Sequence, residues 1–98
     1  MTPREQYDAL TVEMKSLQVE IDGKQAVVHR YEKAIVDDVL AAKTPNVFDK
    51  EHVVRQRQIV ADLCARLDEV TAARQAALLE ANEQAFIDEA SRPLGGAA

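Results

Sequence analysis

Two short clusters and one thiol hold what reactive chemistry this chain offers: His29-Arg30-Tyr31-Glu32, Asp49-Lys50-Glu51-His52 and Cys64. Di-iron sites in helical bundles combine Glu residues with Glu-x-x-His pairs, because that spacing turns both ligands toward one helix face. The first cluster has the spacing with the order reversed. The second falls where a helix is expected to start, with Asp49 occupied as its cap. Cys64 with His52 or His29 suggests a thiol nucleophile, but it lies beside an apolar seam, where a buried thiol is usually inert. There is no Gly-rich phosphate loop, no nucleophile elbow and no His-Glu-x-x-His motif. The expectation is a non-enzymatic protein with no cofactor or metal and with solvent-exposed histidines.

The elements carrying these residues are marked out by proline. Pro3, Pro45 and Pro93 divide the chain, and Gly23 is the one glycine between the first and the last. Proline lacks an amide donor and clashes with the preceding helical turn. The spacing therefore predicts an all-α chain of two long helices, each about 40 residues and roughly 60 Å. Thr2-Pro3-Arg4-Glu5 fits a capping box with proline at the first helical position. From there Tyr7, Leu10, Met14, Leu17, Ile21, Val28, Tyr31, Ile35 and Ala42 recur at spacings of three, four and seven, interrupted at Lys24 and Asp38. Helix one is expected over about 3–43 and a turn over 44–49. Helix two is expected over about 50–91, capped by Asp49, with Phe48 and Val53 as a hydrophobic staple. Its seam reads Val53, Val60, Leu63, Leu67, Val70, Ala77, Leu78, Ala81 and Ala85, and 93–98 form a flexible tail.

So short a turn folds the helices back antiparallel. Centred near Asn46, it makes facing residue numbers sum to roughly 94. That register sets Tyr7 against Phe86 and Ile87, Leu17 against Leu78, Val28 against Leu67, Tyr31 against Leu63, and Ile35 against Val60. It also sets Glu20 opposite Arg74 and Asp38 opposite Arg55 and Arg57, with His29 far from His52. Gly23 reads as a tolerated mid-helix glycine, not a hinge. The format resembles that of small helical-hairpin proteins of the WXG type, but their Trp-x-Gly turn is replaced here by Thr44-Pro45-Asn46-Val47-Phe48.

Charge excludes one class of partner. Net charge is −5, and neither half of the chain is basic, so no phosphate-tracking surface and no nucleic-acid partner are expected. Glu80, Glu83, Asp88 and Glu89 occupy a stretch from Gln75 to Ser91 that has no base. The N-terminus lacks the apolar run of a signal peptide, and no segment reaches membrane-spanning length. With the single Cys64, this predicts a cytoplasmic protein with no membrane partner. Abundant Ala, Val, Arg and Asp are compatible with a bacterium or phage of high GC content.

What the seam leaves over points toward function. Val12 and Val19 lie opposite the seam of helix one, and Val27, Val36, Val39 and Leu40 widen its apolar arc near the turn. Val54 and Leu79 lie off the seam of helix two. Contiguous apolar surface marks an interface. These eight residues are the candidate interface of a hairpin completed as a bundle by self-association, acting as a structural or adaptor element. The competing expectation is a small inhibitory or regulatory protein that docks on a larger one.

Overall fold

A computed structural model describes residues 1–93. Among them the fold is an antiparallel hairpin of two helices, α1 (Pro3–Leu40) and α2 (Val47–Ala90), with no strand. It forms a rod of 84 × 17 × 14 Å. The expected tail lies, from 94 on, outside the described residues.

The start of α1 follows the sequence. Thr2 is the N-cap, its hydroxyl oxygen accepts the Glu5 amide at 3.2 Å, and Pro3 opens the helix. The end comes earlier than expected. Lys43 N–H donates to the Asp38 carbonyl at 2.8 Å and Ala42 N–H to that of Val39 at 3.1 Å. That double closure is a Schellman motif. It places Ala42 at φ 56°, a left-handed conformation normally left to glycine. The residues 41–43 therefore leave the helix before Pro45 can end it.

The start of α2 also moves. Asn46 is the N-cap, its side-chain oxygen accepting the Phe48 amide at 2.8 Å. Asp49 is not the cap; it sits in the first turn, where a negative charge favours the helix dipole. The staple does not form as expected. Phe48 lies inside the helix and 77% exposed, while Val53 is buried.

The core is a thin line. Ile21 and Val28 of α1 and Val53, Val70 and Ala77 of α2 are buried, all at expected seam positions, with half-buried seam residues between them. Each fully buried aliphatic side chain contributes about 1.5–3 kcal/mol. Two helices can cover only one stripe of each other, so few residues reach full burial.

The register differs most from expectation. Arg74 donates to Tyr7 and Thr11, Arg66 to Glu13, Arg57 to Glu32, and His52 packs on Tyr31. These facing numbers sum to about 79–89 rather than 94. Arg74 is thus opposite Tyr7, not Glu20, and Arg57 pairs with Glu32, not Asp38. The pairings of Val28 with Leu67, Leu17 with Leu78 and Tyr31 with Leu63 are displaced with them. The turn accounts for much of this shift: it occupies 41–46, three residues earlier than expected, which lowers the facing sum to about 87.

One consequence shapes the rest of the molecule. In this register α1 has nothing to set against the last ten or so residues of α2, an overhang of about 15 Å. Every described residue from Asn82 onward is exposed. Phe86, 73% exposed, and Ile87, 47% exposed, do not reach Tyr7.

Candidate interaction surface

The reactive clusters are dispersed by the fold. His52 is half-buried, its ring 4.4 Å from that of Tyr31 and tilted by 52°. It is therefore a packing residue rather than a solvent-exposed one, whereas His29 is exposed. The observed register brings His29 and His52 to similar levels along the rod, correcting their expected separation, yet Tyr31 is the residue that meets His52. Among the described residues no three His, Cys, Asp or Glu side chains are grouped as metal ligands. Cys64 is half-buried and free. No helix among the described residues is long and apolar enough to cross a membrane.

Polar contacts between the helices fix register at three levels. Nearest the turn, Arg57 donates from Nε at 3.2 Å and Nη2 at 2.7 Å to Glu32 Oε1. Midway, Arg66 reaches Glu13 at 2.7 Å and Glu69 at 3.3 Å. The hydrogen bond to Glu13, followed by that carboxylate's charge and the bond to Glu69, raises the guanidinium pKa above its ordinary value. Farthest from the turn, Arg74 is half-buried. Its Nε is 2.8 Å from Thr11 Oγ1 and its Nη2 2.6 Å from Tyr7 Oη, with Cζ 4.5 Å from the Tyr7 ring centre. Thr11 in turn donates to the Tyr7 carbonyl at 2.9 Å. Arg74 therefore has both directional donors and a cation–π contact to hold it.

The eight candidate interface residues fall on three surfaces. Near the turn, Val36, Val39, Leu40 and Val54 are exposed, joined by Val47 and Phe48. Val36 and Val54 flank a groove of about 360 Å³ that also takes in Ile35, Val53, Lys50 and the Glu32–Arg57 pair. Val12 and Val19 stand on the outer edge of α1, Val19 being 72% exposed. Leu79 stands on the outer face of α2. Val27 is half-buried and offers less surface than the other seven.

Four apolar residues of this surface are not evident from the sequence. A turn at 44–49 sets Phe86 and Ile87 in the seam, Phe48 in the staple and Val47 in the turn, whereas all four are exposed. Their exposure follows from the early turn. Asn46 was the available signal, since Asn caps as well as Asp.

The fold and its surface define a class: a helical hairpin that exposes individual large apolar side chains on its outer edges, beside its turn and on its overhang. No protein-family model matches the chain, and comparisons with curated proteins and with solved structures find no match.

Proposed function

We propose that the protein is a non-enzymatic structural or adaptor element, of bacterial or phage type, that works by assembling with copies of itself. One observation carries this reading: large apolar side chains are exposed along the whole rod, including Val12, Val19, Leu40, Val54, Leu79 and Phe86, while the seam buries few. Apolar surface gains roughly 25 cal/mol per Å² on removal from water, so a second interface is the natural source of further stability. The reading takes the protein as cytoplasmic, in keeping with its free cysteine.

Sedimentation velocity and light scattering over a concentration series test it. A discrete oligomer at micromolar concentration is the expected result, and a monomer at high micromolar concentration refutes self-association.

A second reading is favoured by the overhang. Glu80, Glu83, Asp88 and Glu89 lie on a helix end that outruns α1, a form suited to docking on a basic surface of a larger protein as an inhibitor or regulator. Exposed charges mainly steer encounter and are screened by salt. Partner binding lost in high salt but insensitive to polar substitution at Val36, Val39 and Leu40 would favour this second reading.

A further inference from the structure

We propose that two copies of the chain pair through the outer faces of α2, antiparallel, about a two-fold axis near residue 70. This rests on the self-association reading and names its surface and geometry. At about 100° per residue, Val54, Ala61, Ala65, Ala76, Leu79 and Phe86 fall within about 40° of one line along the helix. All six are exposed, and the line runs on the side of α2 away from buried Val70 and Ala77. Lys50, Gln58, Asp68 and Glu83 fall within the same arc, so the face is an apolar line with polar interruptions, and it has no partner within the hairpin.

The occupant is a second copy because the face complements itself. Reversed about residue 70, facing numbers sum to about 140. Val54 then comes opposite Phe86, Ala61 opposite Leu79, and Ala65 opposite Ala76. Small residues in the middle allow close approach of the helices, and the bulky residues at each end meet one another or an alanine.

Charge fixes the direction. Near the start of α2, Lys50, Arg55 and Arg57 stand with Asp49 and Glu51, and Arg57 is engaged by Glu32, whereas Glu80, Glu83, Asp88 and Glu89 near its end have no base among them. Antiparallel pairing sets Lys50 and Arg55 of each copy beside Glu80 and Glu83 of the other, twice over. Parallel pairing sets like beside like. Lys50, Arg55, Glu80 and Glu83 have no ion-pair partner among the described residues, so these charges are open to a second chain.

The overhang fits the same geometry, since the part of α2 that α1 leaves uncovered is the part that meets the partner's α2 start. From Val54 to Phe86 the face is about 48 Å long. A strip about 10 Å wide buries about 500 Å² per copy and about 1,000 Å² in all, the minimum for a biological interface and below the roughly 1,200–2,000 Å² of strongly stable ones. Being isologous, the contact closes at two chains rather than growing into a filament.

The test uses full-length chains with Cys64→Ala. Val54→Cys and Phe86→Cys are made separately, mixed and treated with a short bis-maleimide, with circular dichroism confirming the fold. The expected main product joins Val54→Cys to Phe86→Cys, with little of either self-linked. A dominant Val54→Cys self-link would overturn the antiparallel arrangement. Charge exchange supplies the second measurement. Lys50→Glu with Arg55→Glu, or Glu80→Lys with Glu83→Lys, should each weaken pairing at least tenfold, and mixing the two variants should restore it. If the unmodified chain stays monomeric, the self-association reading fails together with this interface. If it assembles but both charge variants associate within twofold of it, the α2 face alone is refuted.

Discussion

The Arg74 clamp is the sharpest test of how the two helices are aligned. In the observed register its guanidinium binds Tyr7 and Thr11; displaced to a facing sum of 94, it would lie opposite Glu20. Hydrogen bonds involving a charged group contribute about 1.5–3 kcal/mol, and a cation–π contact about 0.5–2 kcal/mol, depending on desolvation. Arg74 is half-buried, which puts both near the low end, and they share one side chain, so they do not simply add. A double-mutant cycle with Tyr7→Leu and Arg74→Met keeps apolar bulk at both sites while removing the hydroxyl, the ring and the charge. The expected coupling is about 1–2 kcal/mol. Urea unfolding of the four proteins at one fixed protomer concentration measures it, because association would otherwise shift apparent stability. A parallel cycle with Glu20→Gln and Arg74→Met should be additive within about 0.5 kcal/mol. Coupling at Glu20 with none at Tyr7 would refute the register and, with it, the overhang.

Four further outcomes follow from the same geometry. Val70→Ala at the 2% exposed centre of the seam should cost about 2–3 kcal/mol in urea unfolding, while Val19→Ala on the outer edge should cost under about 0.5 kcal/mol; equal losses would misplace the core. Gly23→Ala should stabilise the hairpin by about 1 kcal/mol, because a Cβ there meets nothing within 4 Å. Ala42→Gly should also stabilise it, by relieving the left-handed strain at φ 56°, and a lower melting temperature for that variant would contradict the helix end described. Asn46→Ala should cost about 1 kcal/mol by removing the cap, and Asp49→Ala clearly less; thermal melts giving the reverse order would move the start of α2 back to Asp49.

The sequence made the elements legible but not their alignment, for a physical reason. Thr2-Pro3 marks the start of α1 by steric and hydrogen-bonding rules that need no tertiary context, and the apolar repeat identifies the residues that become buried. That same repeat cannot tell one register from another displaced by whole turns. Three turns of a 3.5-residue repeat are about 10.5 residues. This is nearly the offset between the expected sum of 94 and the sum of 83 at the Tyr31–His52 contact. Only the turn breaks the degeneracy, and both of its boundaries were disguised. Ala42 takes the left-handed position where glycine would have announced the end of α1, and Asn46 and Asp49 are equally good caps three residues apart.

The turn also decides the surface. A turn at 44–49 sets Phe86 and Ile87 against Tyr7 and Phe48 in a staple, and leaves Val54 and Leu79 as isolated off-seam residues. Yet Phe86 lies on the same helical line as those two, a pattern present in the sequence and hidden only by its assignment to the seam. Once α2 is seen to outrun α1 by nearly three turns, its outer apolar line no longer reads as scattered exposure. It runs from Val54 at the groove by the turn to Phe86 on the overhang. Lys50 and Arg55 near one end of that line and Glu80 and Glu83 near the other are the charges that the antiparallel copy proposed above would bring together.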